Sequence, residues 1–396
     1  MFESICIGRH DFFRGPVDFG QLAEALVFYQ VVHFVADQNA FKSLVRTCGA
    51  DAVLELCEMG SLQIHFSENT PAIVTPNTGA PLEMHGLVTV KVRNENFLTF
   101  ATKFFEEYVG PSGKGFNRTL RKFLKTVNPY EVTRSALDHV RADLTDQEYL
   151  RASVKGILSS IVPEYEPPSP VRFDAKLLSD GHFEIETNID FVAANEAHRT
   201  HNHVPDSILT KADILAQLLT TRTTLEMASG LSADIALGPV SSVIGANKLA
   251  SVIKTHEKNK DARERFTEWT VEDSRAIAET VRSGNRNFLE VLTLVQKSRQ
   301  FKDWLKQQDP SADLCKEYCR EVSRLDWAEK LPPKSLRWLL VNGAGLVAGA
   351  VASPVAGAAA SVGIAAADGF LLDKVLKGWR PNQFIEGPLK KFIGIE

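Results

Sequence analysis

The sequence predicts an α+β fold: a mixed α/β N-terminal half, a β-hairpin, and a mainly helical C-terminal half ending in a Gly/Ala-rich helical hairpin. Three patterns predict it. Short strand-like and helix-like segments alternate through residues 1–162, two alternating strands flank Asp180-Gly181, and the periodicity from Ala212 onward is helical.

In chain order, Leu22 to Phe28 reads as a helix and Val31 to Val35 as a short strand. Phe41 to Cys48 and Ala52 to Glu58 read as short helices stopped by Gly49 and Gly60, the second with Asp51 as its N-cap. Leu62 to Phe66 alternates apolar and polar residues like a half-buried strand, and Leu87 to Val92 is a further strand. Thr145 and Glu148 are spaced as a capping box before a helix to Ile161. The run from Pro163 to Pro170 holds four prolines, which fix φ and remove backbone donors, so it reads as a linker. Val171, Phe173, Ala175 and Leu177 then alternate with polar residues, as do Phe183, Ile185, Thr187 and Ile189, around a Ser-Asp-Gly turn that needs positive φ. Ala212 to Met227, Ala246 to Phe266 and a long segment from Phe288 to Asp309 read as helices. The expected organisation is a mixed domain (1–162), a Pro-rich linker (163–170), a β-hairpin with helical region (171–330), and a helical hairpin with tail (331–396).

Near the C-terminus Gly345, Gly349, Ser353, Gly357, Ser361, Ala365 and Gly369 recur at four-residue spacing. A small residue on each turn lets a second helix come close, because no side chain holds the backbones apart. Pro354 divides the segment, and a proline deep in a helix costs about 3 kcal/mol, so two arms packed on each other are expected rather than one rod. Their outer faces carry Leu340, Val347, Val362 and Phe370, which something must cover. Lipid is one cover: Lys330, Lys334 and Arg337 precede the segment and Lys374, Lys377 and Arg380 follow it. Each arm is shorter than the roughly 20 residues of a spanning helix, and Asp368 would cost roughly 3 kcal/mol near a bilayer centre. Cover by the protein's own helices, or by a second copy, is therefore the preferred reading.

Net charge is −4, with 44% hydrophobic and 24% charged residues, so no global positive field draws in nucleic acid. The basic run from Lys114 to Lys125 reads as a helix with one core face and one solvated basic face. Five scattered cysteines (Cys6, Cys48, Cys57, Cys315 and Cys319) argue against a disulfide framework and for a reducing compartment. No secretory signal is expected from the charged N-terminus, and the chain reads as cytoplasmic, with membrane association through a hairpin at 338–372 as the alternative.

Candidate chemistry is sparse. His198, His201 and His203 could ligate zinc, with Glu196 or Asp206 adding an oxygen, if a loop folded them inward; the competing reading is a polar, solvated loop. Gly110 to Gly115 lacks the spacing and the Ser or Thr of a phosphate loop and reads as a helix-to-helix connection. The tail is expected to dock back through Trp379, Phe384, Phe392 and Ile393. The expected function is assembly with a protein partner or a second copy, without enzymatic activity, the Gly/Ala hairpin serving as core or oligomer seam. A membrane-associated effector and a zinc enzyme built on the histidines are the alternatives, and no cofactor other than that zinc is expected.

Overall fold

The structure is a computed structural model that describes residues 3–8, 17–76, 83–91, 96–110, 115–132, 134–178, 182–202, 208–231, 233–255, 275–306, 338–339 and 388–393. It has the expected α+β character, with a mostly parallel sheet and a separate antiparallel one.

Four parallel strands open the larger sheet: β1 (Ser4–Ile7), β2 (Val31–Ala36), β3 (Leu62–Ser67) and β6 (Asn128–Tyr130). Helix α1 (Phe19–Phe28) connects the first two, and α2 (Gln38–Cys48) and α3 (Ala50–Glu58) connect the next. Gly49, at φ 84, adopts the positive φ that ends α2 and starts α3, and Gly60, at φ 75, closes α3 as expected. Asp51 lies in the first turn of α3, one residue past its start, rather than at the cap.

β3 runs almost directly into β4 (Asn69–Val74), which pairs antiparallel with β5 (Met84–Lys91). Helices α4 (Phe97–Val109) and α5 (Phe116–Thr126) then lead to β6, with Gly110 and Gly115 at the ends of their connection. Helices α6 (Arg134–Thr145) and α7 (Gln147–Ile161) precede the proline run, which forms neither helix nor strand. The cap of α7 is Asp146, which accepts from the Tyr149 amide at 3.1 Å, whereas the Thr145 hydroxyl turns back to the Ala142 carbonyl. An Asp one position nearer the helix outcompetes the threonine as acceptor.

The expected hairpin is present as β7 (Phe173–Leu177) and β8 (Phe183–Thr187), with Ala175 opposite Ile185. It completes a four-stranded sheet ordered β4-β5-β8-β7. Helices α8 (Phe191–Asn202) and α9 (Lys211–Gly230) follow. The helical reading of this half misses β9 (Asp234–Ala236), three residues that join the larger sheet parallel to β1. Elements on both sides of residues 163–170 thus share each sheet. Helix α10 (Pro239–Thr255) covers 246–255 of the expected helix, and 256–266 lie outside the described residues. Beyond it lie α11 (Arg275–Arg282), α12 (Phe288–Lys297) and α13 (Arg299–Lys306); the long helix expected here is broken at Ser298, whose hydroxyl donates to Val295 O at 2.8 Å. Strand β10 (Trp338–Leu339) pairs antiparallel with β9. The short α14 (Lys390–Ile393) docks onto the body: Phe392 is buried, and Arg286 donates to Phe392 O at 2.7 Å and Lys391 O at 2.8 Å, whereas the expected anchors Trp379 and Phe384 lie outside the described residues.

The parallel sheet has two unlike faces. One presents Ile5, Ile7, Val32, Phe34, Ile64 and Phe66 to α1, α2, α4, α5 and α12, forming the largest core. The other presents Cys6, His33, Val35 and His65 toward α9. Helix α9 is the joint of the molecule: its first half packs into a core with the antiparallel sheet, α7 and α10, and its second half lies over the parallel sheet.

Candidate functional site

At the carboxyl edge of the parallel sheet, a cleft of about 270 Å³ opens between the ends of β2 and β3, strand β4 and helix α9. Its walls are largely apolar, from Val35, Pro71, Ile73, Val132, Leu219 and Met227 among others. The crevice beyond the carboxyl ends of the strands is where open α/β sheets hold their ligands.

The local sequence explains how the cleft is held. Asp37 ends β2 and caps α2, accepting from the Ala40 amide at 2.8 Å. Ser67 ends β3 and donates to Asn69 O at 2.5 Å, tightening the step into β4. Asn69 accepts from the Val132 amide at 2.9 Å, which ties the segment after β6 to the rim. Across the cleft, Ala212, Ala216, Thr220, Thr223 and Met227 recur every three or four residues and so share one face of α9, with Asp213 beside Ala212 at its start. This helix begins in a full capping box, in which Asp213 accepts from the Thr210 amide at 2.8 Å and hydroxyl at 2.6 Å.

Helix α9 is buried on most of its sides although it carries four threonines between positions 220 and 224. The Thr221, Thr223 and Thr224 hydroxyls donate to the carbonyls four residues back at 2.8 to 2.9 Å, which lets them be buried without orphaned donors. Gln217, fully buried, donates to Ser241 Oγ at 2.8 Å. Gly8, just past β1, lets the helix come this close: a Cβ there would stand 2.6 Å from Thr224 Cγ2.

Behind the cleft an ionic chain links α6, α9 and α10. Lys248 pairs with Asp143, Arg222 Nε lies 3.7 Å from Asp143, and Arg222 reaches Glu226 at 2.8 Å. His139 Nδ1 lies 2.8 Å from the same Glu226 oxygen. Burial pushes the Asp143 carboxyl above its ordinary range, while Arg222 and Lys248 pull it back. On the sheet beneath, His33 Nδ1 lies 3.1 Å from His65 Nε2. Burial holds both imidazoles below the usual histidine range, His65 at about 4. Burial also raises the Cys6 thiol to about 12, so this buried sulfur is a packing group rather than a nucleophile.

The residues singled out from sequence fall elsewhere. The histidine segment is not a solvated loop, for residues 191–202 form α8 and His198 is buried on it. Phe191, Ala194, Asn195 and His198 repeat at helical spacing, and Asn195 bridges the carbonyls of Phe191 and Leu209, which outweighs the polar composition. His201 continues the helix, and His203 lies outside the described residues. Among the described residues no group of three His, Cys, Asp or Glu side chains is placed to hold a metal. The packing stripe (Gly345, Gly349, Ser353, Gly357, Ser361, Ala365 and Gly369) also lies outside the described residues. Among those described, no helix is long and apolar enough to cross a membrane. The basic run behaves as expected on α5: Leu120 and Phe123 are buried, Arg118, Arg121 and Lys125 are exposed, and Lys122 reaches Glu58 at 2.8 Å.

Sequence reasoning passed over the cleft. Its signals were an acidic residue directly between an apolar strand and a helix, at Asp37, and a run of threonines inside an apolar helix, at 220–224. Comparison with family models, curated proteins and solved structures finds no significant match to this chain.

Proposed function

We propose that this protein binds a small molecule through its apolar part, in the cleft between the β2 and β3 ends and helix α9. The observation that carries the proposal is the position and make-up of the cleft: apolar walls, a few polar side chains, and a place at the carboxyl edge of a parallel sheet. The surroundings support a preformed site. Capping bonds at Asp37 and Asp213, the Asn69–Val132 bond and the ionic chain of α9 hold the elements around it.

Calorimetric titration with naphthylmethanol, a neutral probe of suitable size, tests it. Saturable binding that Ala216→Trp abolishes, with the fold intact by circular dichroism, is the expected result. Binding indifferent to that substitution, or none, would remove the cleft from consideration.

Assembly through the Gly/Ala segment is a second proposal, resting on its sequence. One observation favours it: this chain already uses glycines to bring helices together. A Cβ on Gly20 of α1 would lie 2.6 Å from the Ala278 carbonyl oxygen of α11, and one on Gly156 of α7 would overlap Val243 of α10. Replacing Gly349 and Gly357 by leucine should lower the mass of any oligomer seen by light scattering; an unchanged mass speaks against the seam.

A further inference from the structure

The chemistry of the cleft is mostly one-sided. Three of its four hydroxyls, all but that of Thr220, already give their proton to the protein: Ser67 to Asn69 O at 2.5 Å, Thr223 to Leu219 O at 2.8 Å and Thr224 to Thr220 O at 2.9 Å. What they can still offer a ligand is lone pairs. The two charged residues among the described lining are Asp37 and Asp213, both acceptors.

The helix ends say the same. The N-terminus of a helix attracts phosphates and carboxylates because its first amides point outward. Here the protein's own carboxylates sit at both helix starts beside the cleft. Asp37 takes an amide of the first turn of α2, and Asp213 occupies the first turn of α9 while bonding back to Thr210. An incoming anion would meet these like charges and acceptor oxygens.

We propose that the cleft selects an apolar ligand bearing a hydrogen-bond donor, best of all an ammonium group, and rejects phosphorylated or carboxylated ones. This rests on the cleft being a ligand site, and it names the class of ligand. Apolar walls take the body of the molecule, while carboxylates compensate the ammonium for the water it loses.

Three matched probes test it on the full-length protein: naphthylmethylamine, naphthylmethanol and naphthoate, titrated calorimetrically near neutral pH, with Ala216→Trp as the control for location. The amine should bind roughly tenfold or more tighter than the alcohol, and the carboxylate more weakly than either. Asp213→Asn, which keeps an acceptor for Thr210, should narrow the gap between amine and alcohol. Naphthoate binding as tightly as the amine, or a gap that Asp213→Asn leaves unchanged, would overturn the charge selection while leaving the cleft a binding site. Should the alcohol fail to bind, or bind regardless of Ala216→Trp, the binding site itself is refuted and the selection with it.

Discussion

The two faces of the parallel sheet are built from the same strands and are packed in different ways. On one face Phe41 stands at the centre of an aromatic cluster, with Phe66, Phe97, Phe100, Phe104, Phe105 and Phe123 at centroid distances of 5.4 to 6.4 Å, every pair edge-on. Such packing is dry and dense, and leaves no room for a ligand. On the other face the strands turn His33, His65 and Cys6 toward a helix whose polar side chains are satisfied internally or by ion pairs. Satisfied polar groups fix positions more than they fill space, and the cleft opens beside them. In the proposed reading stability is concentrated on one face and recognition on the other, and the contrast can be broken in graded ways.

Phe41→Ala should have the largest effect, destabilising the protein by about 3–5 kcal/mol in urea denaturation while leaving probe affinity unchanged in the molecules still folded. If affinity falls with stability, the faces are not separable. Asp143→Ala comes close behind, at about 3–5 kcal/mol, because it strands Lys248 in a mostly buried setting, whereas Arg222 keeps its pair with Glu226. The double variant Asp143→Leu/Lys248→Met should recover much of that loss, since it removes both charges rather than one. No recovery would mean that the ionic chain is irreplaceable in holding α9. Gly8→Ala should cost about 1–3 kcal/mol by pressing on Thr224, and it should weaken probe binding as α9 is moved off the sheet.

The smallest changes are slopes with pH. His33 and His65 bind protons less readily in the folded protein than in the unfolded chain, whose histidines titrate near 6.5. Their contribution is complete above that value and is lost as pH falls toward about 4. His65→Gln should flatten stability across this window. At the opposite, amino edge of the sheet, burial raises the Asp234 carboxyl to about 7, although Tyr29 donates to it. That sign is reversed: stability is complete below about 4 and declines as pH rises toward 7. Asp234→Asn should flatten this second slope and leave the first. Paired denaturation curves of the two variants check both.

The apolar face was legible in the sequence and the polar one was not. Residues 22–28, 31–35, 41–48 and 62–66 show their periods because each packs one side into a large core. The same rule found the β7–β8 hairpin, whose turn chemistry is local. Strands β1 and β9, of four and three residues, are too short to show a period, and only the sheet gives them partners. Helix α9 was found, but not its role, since burial on most sides erases the stripe that would mark a functional face. The cleft draws on residues 35–37, 67–73, 132 and 212–227, which only the strand order brings together. His198, by contrast, looked like chemistry and is a buried helix residue.

The most direct test of this division of labour is methyl NMR of the full-length protein titrated with naphthylmethanol. Shifts confined to Ala72, Ile73, Ala212, Ala216, Thr223 and Met227 are expected, with the methyls around Phe41, such as Leu44 and Val45, unmoved. Shifts centred on the aromatic face, or none at the cleft under saturating probe, would contradict that division.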